Sequence, residues 1–373
     1  MQTAGADTNL RGVSVILAPG KNDQLHDLIW ASGSNGTILR SIDDGNTWQQ
    51  IPVAGASTLD FRDVEAFSAN EAYVMSIGDQ GQSRIYKTTD GGKNWQLQYS
   101  DKRLGFFLDS MACDSEEHCV AVGDPVDGKF VVLQTLDGQH WSELPQDKMP
   151  PALPKEGAFA ASGTIIALCS EGMLFGTGGP AARIFRSTDG GQSWTVTETP
   201  IGGGTDSRGV FSIACGGPND LVAVGGDYKR PDDNKNVAVY SHDAGKTWSL
   251  AETQPGGFRS AVASFSYGDF AAVGPNGTDI SIDRGAHWRR SDKLNLNAVA
   301  FEGTNGWAVG PKGTVARFKT HFEYGFRKMS PRDAGELAIN PAISVLQNRT
   351  AGSTGSSGRR SNFHLAASQT MSE

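Results

Sequence analysis

The sequence predicts an all-β protein, a seven-bladed β-propeller whose ring is closed by its N-terminal strand. A short turn motif recurs six times, with 40 to 54 residues between the tryptophans that end successive copies. Between copies the chain repeats a pattern of short apolar strands and Gly-rich loops. Periods of this length, with four strands in each, are typical of propellers. The 47 glycines and the charged fraction of 20% also suit many short strands joined by turns.

The turn motif is Ser/Thr-x-Asp-x-Gly-x-x-Trp, and the copy at 135–141 is one residue shorter. The Asp side chain of such a turn accepts hydrogen bonds from backbone amides that follow it. The Gly takes a positive φ, and the Trp packs beneath the turn. Each Asp is therefore expected to be occupied by its own turn, which makes the motif structural and not catalytic. The structural set is Asp43, Trp48, Asp90, Trp95, Asp137, Trp141, Asp189, Trp194, Asp243, Trp248, Asp283 and Trp288.

The order of the units along the chain gives the number of blades. Six units end in the motif, and a seventh at 296–318 has three strand-like segments without it. From residue 10 to 320 this is about 44 residues per blade, within the range of propeller repeats. We assign 1–325 to the propeller and 326–342 to a C-terminal extension. Residues 343–373, which include a Gly/Ser-rich stretch, are predicted to be a disordered tail.

The start of the chain predicts how the ring closes. Trp48 precedes Arg62 by 14 residues, and Trp194 precedes Arg208 by the same number. A Trp at this distance from Arg11 would fall before Met1, so residues 2–9 are expected to supply the outer strand of the last blade. This closure leaves no open sheet edge. We further expect a leader upstream of Met1 and an exported protein, periplasmic or extracellular.

The four cysteines permit different pairings. Cys113 and Cys119 flank a predicted hairpin turn, where a disulfide and two half-buried free thiols are equally compatible with the sequence. Cys169 and Cys215 each end the first strand of a unit, in adjacent units. We expect them to be small core residues and not a pair.

Composition restricts the partners. A net charge of −8 argues against nucleic acid and anionic membranes. No apolar run is long enough to cross a bilayer, so no membrane insertion is expected. No Cys/His cluster has metal-ligand spacing, and we expect neither a metal nor a cofactor. The protein is expected to be a monomer.

Six stretches carry a resemblance to a known family. They are LRGVSV (10–15), IWASG (29–33), FRDV (61–64), RIYKTTD (84–90), GDPVDG (123–128) and EGAFAASGT (156–164). The turn motif is the BNR or Asp-box repeat, which sialidases, some endoglucanases and non-enzymatic propellers share. The wider pattern, over about residues 2–320, resembles the photosystem II stability and assembly factor family and its bacterial relatives. The resemblance implies an exported, non-catalytic propeller that binds a protein or peptide and assists assembly.

The alternative function is that of an Asp-box glycoside hydrolase, sialidase-like or glucanase-like. A sialidase needs three Arg, a Tyr–Glu pair and an Asp acid/base, and an Arg-Ile-Pro motif precedes its first box. Here Arg84-Ile85-Tyr86 and Arg183-Ile184-Phe185 lack the Pro and lie on strands that run into boxes. The glucanases place two catalytic carboxylates between two propellers. This chain is long enough for only one propeller. An unassigned enzyme that uses the same face is a third possibility.

The candidate binding surface is a ring of arginines at the starts of inner strands. Four units have an arginine at this equivalent position. A guanidinium group can donate two hydrogen bonds to one carboxylate, so the ring suits an acidic peptide. The structural alternative is that each pairs with Asp63, Asp109, Asp124 or Glu156 and ties blades together. Long loops at 123–129, 176–183 and 225–236 fall at the same end. The predicted binding residues are Arg11, Arg62, Arg208, Arg259, Asp124 and Asp227.

Overall fold

The computed structural model describes residues 2–3, 8–19, 24–320 and 343–345, the first and last of these as backbone only. The strands are numbered along the chain, and β1 (Gln2–Thr3) belongs to the last blade. Most of the predicted C-terminal extension and tail lies outside the described residues. Within the described residues, no helix is long and apolar enough to cross a membrane.

Seven antiparallel sheets form the seven blades. Blade one comprises β2 (Leu10–Pro19), β3 (Leu25–Gly33), β4 (Thr37–Ser41) and β5 (Gln49–Gln50). Blade two comprises β6 (Asp60–Ala66), β7 (Ala72–Ile77), β8 (Arg84–Thr88) and β9 (Gln96–Ser100). Blade three comprises β10 (Leu108–Cys113), β11 (Cys119–Val126), β12 (Lys129–Thr135) and β13 (Ser142–Glu143). Blade four comprises β14 (Ile166–Cys169), β15 (Gly172–Gly176), β17 (Arg183–Ser187) and β18 (Thr195–Glu198).

The remaining blades follow the same order. Blade five comprises β16 (Gly178–Gly179), β19 (Thr205–Cys215), β20 (Leu221–Asp227), β21 (Ala238–Ser241) and β22 (Ser249–Leu250). Blade six comprises β23 (Ala261–Ser266), β24 (Asp269–Gly274), β25 (Gly277–Ser281) and β26 (Arg289–Arg290). Blade seven comprises β27 (Ala298–Glu302), β28 (Asn305–Val309), β29 (Thr314–Thr320), β1 and β30 (Ile343–Val345), with a 3-10 turn at Pro311–Gly313.

The ring is closed, as the sequence predicts. The first long strand of every blade contacts that of the next, from β2 through β6, β10, β14, β19, β23 and β27 back to β2. At the closure, Gln2 pairs with Val315 and Thr3 pairs with Thr314, so β1 supplies an outer strand for blade seven. The predicted all-β, seven-bladed propeller with N-terminal closure is confirmed.

The core lies between the blades, because both faces of each inner sheet are covered by neighbours. Every residue of β20 is buried, which fits its continuous apolar run. Phe130, Phe175 and Phe185 pack together where blades three and four meet, with ring centroids 4.7–5.2 Å apart. This packing holds the loops at both ends of the propeller on a rigid scaffold.

Two disulfides are present, and one of them corrects the sequence analysis. Cys113 and Cys119 are bonded across the hairpin between β10 and β11, which resolves the open alternative in favour of a disulfide. Cys169 and Cys215 are also bonded, so the expectation that they are unpaired core residues is wrong. The sequence places them in separate units. Because innermost strands converge around the propeller axis, the ends of β14 and β19 bring the two Cα atoms to 5.9 Å.

Candidate functional site

A cavity of about 470 Å³ lies at the end of the propeller where the innermost strands begin, called here the Arg end. Its charged half is formed by the side chains of Arg11 and Arg62, from blades one and two. Its apolar half is formed by aromatic rings from other parts of the chain. The lining residues used below are Arg11, Arg62, Phe159, Phe211, Tyr228 and Phe258.

The long connection between blades three and four, residues 144–165, supplies part of this cavity, and we call it the crossing segment. The Ala158 N–H donates to Asp124 Oδ1 at 3.0 Å. Gly157 and Gly178 exchange backbone hydrogen bonds at 3.3 and 2.9 Å. Farther along, the Ser162 hydroxyl donates to the Ser260 carbonyl of blade six at 2.8 Å. The segment is thus hydrogen-bonded both to the blade that precedes it and to blade six, across the Arg end.

Arg62 is held in place by three hydrogen bonds. Its Nε and NH2 groups donate to Asp60 Oδ2 at 2.9 and 2.7 Å, and NH1 donates to the Ala160 carbonyl at 2.6 Å. A guanidinium has five N–H donors, so Arg62 keeps donor capacity beyond these bonds. Its side chain is 20% exposed, which leaves it accessible from the cavity.

Arg11 differs from Arg62 in its partners. Its NH1 donates to the Ala161 carbonyl at 3.4 Å. With its oxygen turned towards Arg11, the Asn9 amide accepts from Nε and NH2 at 3.0 Å. Burial, reinforced by the positive charge of Arg62, lowers the pKa of Arg11 to about 10. In the part of the chain that the structure describes, Arg11 forms no ion pair, so its positive charge is compensated only by neutral acceptors and the more distant Asp60.

The apolar half of the cavity is an aromatic wall, made of Phe159, Phe211, Tyr228 and Phe258. Phe159 stacks on Phe211 with centroids 3.9 Å apart and planes at 7°. Phe258 meets Phe211 edge-on at 4.7 Å, and Tyr228 meets it edge-on at 6.1 Å. Tyr228 is 46% exposed, so the wall is open to an incoming group.

Arg208 lies elsewhere, although the sequence places it in the ring. Its Nε donates to the Ile201 carbonyl at 3.2 Å, and NH2 donates to the Lys235 carbonyl at 2.6 Å. Asp233 lies 3.8 Å from NH1. The side chain therefore fastens the 225–236 loop to the preceding connection and does not face the cavity.

Asp227 also stabilises this loop. It accepts from the Lys229 N–H and from Arg230 Nε, both at 3.0 Å. Burial opposes ionisation, but hydrogen bonds from Ser207, Arg230 and Lys229 outweigh it and lower the pKa of Asp227. At 3% exposure it is placed to order the loop and not to meet a partner.

Arg259 is wholly buried, which corrects its assignment to the binding ring. It forms an ion pair with Asp279, in which Nε and NH2 both donate to Oδ2. NH1 donates to the Phe258 carbonyl and to Asn276 Oδ1, each at 2.7 Å. Because its donors are directed inward within blade six, Arg259 is a structural tie. The motif position is equivalent to that of Arg62, but the side chain turns the other way.

The carboxylates named as structural partners of the arginines are not their ion-pair partners. Glu156 is instead paired with Arg183, and Asp63 accepts the Met111 N–H at 2.7 Å. Burial and the charge of Asp124 raise the pKa of Asp109. Burial also raises the pKa of Asp124 to about 6, although the Ala158 N–H opposes this. Asp124 lines a second, more open cavity, and its role towards the first is to hold the crossing segment.

The box aspartates lie at the opposite end, called the Asp-box end, and each is engaged by its own turn. Asp189 Oδ1 accepts from the Ser187 hydroxyl and the Ser193 N–H, both at 2.9 Å. Trp194 Nε1 donates to the Gly191 carbonyl at 3.2 Å. The same amide-to-carboxylate bond, at 2.8–3.0 Å, recurs at Asp43, Asp90, Asp243 and Asp283. Asp137, in the short copy, accepts from two successive amides at 2.8 Å.

The cavity does not have the side chains that a sialidase would need. Two arginines line it and not three, and no Glu stands beside Tyr228 among the lining residues. Across residues 8–19 and 24–320, no group of three or more His, Cys, Asp or Glu side chains has the geometry of a metal site.

The aromatic wall was missed by the sequence analysis. Its four rings come from the crossing segment, β19, the loop after β20 and the connection before β23. No spacing in the sequence links them. The signals were indirect: Phe159 falls in the EGAF stretch that carries the family resemblance, and Tyr228 falls in the long 225–236 loop.

Comparisons with known proteins agree with this architecture. A model described as "DUF6242 beta propeller domain" matches residues 17–202, and a BNR/Asp-box repeat model matches 239–250. No curated protein matches the sequence significantly. A structure of YCF48 from Cyanidioschyzon merolae is 17% identical, with a TM-score of 0.59 over 84% of this chain and 96% of that one.

Two further structures share the fold. One is described as "YCF48 bound to D1 peptide"; it is 17% identical, with a TM-score of 0.55 over 85% of this chain and 95% of that one. The other is an ancestral GH74 enzyme, 13% identical, with a TM-score of 0.57 over 85% of this chain but only 45% of that one. At these identities the likeness concerns the fold. It agrees with the β-propeller that the sequence predicts.

Proposed function

Because the chain is a BNR/Asp-box β-propeller with a YCF48-like fold, we propose that it is a binding protein that recognises an acidic peptide segment of a partner protein at the Arg11–Arg62 cavity. The observation that carries this proposal is the set of partners around Arg11. Its guanidinium lines a cavity and has neutral acceptors but no ion pair among the described residues. A carboxylate placed there would gain charge-assisted hydrogen bonds in a partly desolvated setting.

The position of the two arginines supports a single anionic group as the ligand. Arg11 and Arg62 donate to the carbonyls of two consecutive residues, Ala161 and Ala160. Both guanidinium groups also line the same cavity, so one carboxylate bound there can meet both. At about 470 Å³ the cavity is at the lower end of the size range of ligand pockets. It therefore suits a peptide segment and not the face of a folded domain.

The likeness to known structures supports the same function. One of the YCF48 structures with this fold holds a peptide. The GH74 enzyme is similar in fold over less than half of its own length. No arrangement of the residues lining the Arg-end cavity favours hydrolysis over binding, so binding is the function we carry forward.

We also propose that the protein works in an oxidising compartment outside the cytoplasm. Two disulfides support this, because such bonds form and persist in exported proteins. Thiol labelling of the protein taken directly from its native cells tests the proposal. Four blocked cysteines before reduction are expected, and four reactive thiols would contradict it.

Selection from a random peptide library tests the binding function. The bait is the full chain, and the comparison is Arg11→Gln/Arg62→Gln, which removes both charges but keeps a polar side chain at each position. The matched control is Arg284→Gln, an exposed arginine at the Asp-box end. We expect Asp- and Glu-rich peptides to be enriched on the wild type and on the control, and to be lost on the double variant. Selected peptides that bind the double variant equally well would overturn the proposal.

A further inference from the structure

The Arg-end cavity has two chemically distinct halves. Arg11 and Arg62 form one, and the aromatic wall of Phe159, Phe211, Tyr228 and Phe258 forms the other. An acidic group alone would use only the first. The presence of an open ring face beside two guanidinium groups needs a separate explanation.

The crossing segment sets the distance between the halves. Phe159 contributes its ring to the wall, and the next two residues, Ala160 and Ala161, receive the hydrogen bonds from Arg62 and Arg11. Since consecutive Cα atoms are about 3.8 Å apart, the residue of the wall and the residues that receive the arginine hydrogen bonds lie only one or two residue lengths apart on the crossing segment. One ligand residue, or two adjacent ones, can therefore reach both.

The wall is fixed before any ligand arrives. Phe211 and Phe258 are 3% and 5% exposed, and Phe159 stacks on Phe211. Only Tyr228 is substantially exposed. A rigid aromatic surface of this kind favours contact with a large apolar or aromatic side chain, which it shields from water. A small or polar side chain would gain little from it.

We propose that the cavity reads a carboxylate together with a large apolar side chain directly next to it. The inference rests on the proposed peptide-binding function and adds its specificity: the arginines hold the acid, and the aromatic wall selects its neighbour. Two sources supply this chemistry. One is the C-terminal residue of a peptide, which carries both a main-chain carboxylate and a side chain. The other is an internal Asp followed by an apolar residue.

Calorimetric titration of the full chain with two pairs of N-acetylated hexapeptides tests this. The first pair is Gly-Ser-Gly-Ser-Gly-Phe and Gly-Ser-Gly-Ser-Gly-Ala, each with a free C terminus. The second pair is Gly-Ser-Asp-Phe-Ser-Gly and Gly-Ser-Asp-Ala-Ser-Gly, each amidated. We expect the Phe peptide of at least one pair to bind about tenfold more tightly than its Ala partner, the gain given by burying a large apolar side chain. The pair that shows the preference identifies the source of the carboxylate.

Variants separate the two halves. Tyr228→Ser should weaken the Phe peptide more than the Ala peptide and so lower the Phe-to-Ala affinity ratio severalfold. The matched control is Tyr267→Ser, which removes an exposed tyrosine from the Asp-box end. Arg11→Gln/Arg62→Gln should weaken both peptides of a pair together. An amidated Gly-Ser-Gly-Ser-Gly-Phe, which has no acid, should not bind.

The outcomes of these titrations test the side-chain specificity separately from the proposed peptide-binding function. If binding depends on the arginines but the Phe and Ala peptides of both pairs bind with equal affinity, the proposed specificity is wrong and the peptide-binding function stands. A ratio that is unchanged in Tyr228→Ser would show that the wall is not what selects the side chain. Absence of binding by every acidic peptide at millimolar concentration, or binding that does not depend on the arginines, would overturn both.

Discussion

The disulfide between Cys169 and Cys215 fastens the innermost strands of two neighbouring blades, β14 and β19, with their Cα atoms 5.9 Å apart. The residues are 46 positions apart in sequence, whereas Cys113 and Cys119, within one hairpin, are six apart. A cross-link restricts the unfolded chain more when it closes a longer loop. The inter-blade bond is therefore the more important of the two for the stability of the ring.

Removing each disulfide tests this difference. Loop-closure entropy predicts a loss of about 4 kcal/mol in the free energy of unfolding for Cys169→Ala/Cys215→Ala, and about 2 kcal/mol for the matched control Cys113→Ala/Cys119→Ala. Urea unfolding of both variants and the wild type under non-reducing conditions gives the values. Equal losses, or a larger loss for the hairpin variant, would contradict the assignment.

The box tryptophans are expected to contribute unequally to stability. Trp194 is 6% exposed, packs 5.3 Å from Phe175 and donates to the Gly191 carbonyl, whereas Trp95 is only half-buried. Trp194→Ala should cost about 3–5 kcal/mol, because it opens a large cavity between blades. Trp95→Ala should cost less. Chemical unfolding of the two variants checks the order, and a smaller loss for Trp194→Ala would refute it.

The box aspartates should make the fold sensitive to acid. Burial opposes the shift, but hydrogen bonds from Thr247 and Ser241 outweigh it and lower the pKa of Asp243 to about 2. Bonds from Ser193 and Ser187 lower that of Asp189 to about 2 as well. An unfolded Asp has a pKa near 3.9. The stability that each ionised group provides is therefore fully present above about pH 4 and is lost as the pH falls towards 2.

Thermal melts between pH 7 and pH 2 measure this effect. The wild type should lose melting temperature steeply below pH 4. Asp243→Asn should be less stable at pH 7 but should lose less on acidification, because its amide does not titrate. Parallel curves for the two proteins would mean that Asp243 is not among the groups responsible.

The sequence was sufficient to predict the fold but only half of the site. Six motif copies and a seventh unit without the motif determine the number and register of the blades, because each turn is formed by its own Asp, Gly and Trp. The direction in which a side chain points, in contrast, is not determined by the local sequence. Arg62 and Arg259 occupy equivalent positions, yet one lines the cavity and the other is buried in an ion pair with Asp279 of its own blade. The aromatic wall and the Cys169–Cys215 bond likewise depend on segments that only the closed ring brings together.

The two kinds of arginine should respond differently to substitution. Arg259→Met should destabilise by about 3–5 kcal/mol, because it leaves the buried Asp279 without its partner. Replacing both, as Arg259→Met/Asp279→Leu, should recover much of the loss. Urea unfolding of the single and double variants checks this. A single variant that is as stable as the wild type would return Arg259 to the list of candidate binding residues.

Salt dependence tests whether Arg11 and Arg62 bind through charge. The affinity for an acidic peptide selected on the wild type should fall as sodium chloride rises from 0.05 to 0.5 M, because screening weakens interactions between partly exposed charges (the Debye length is about 10 Å at 0.1 M). Arg11→Gln/Arg62→Gln should abolish binding, while the melting temperature stays close to that of Arg284→Gln, the control at the Asp-box end. Retained binding would place the site elsewhere, and the 225–236 loop, fastened by Arg208, is the next surface to test. Unfolding of the double variant, with the control intact, would instead show that the two arginines hold the crossing segment in place through the Ala160 and Ala161 carbonyls.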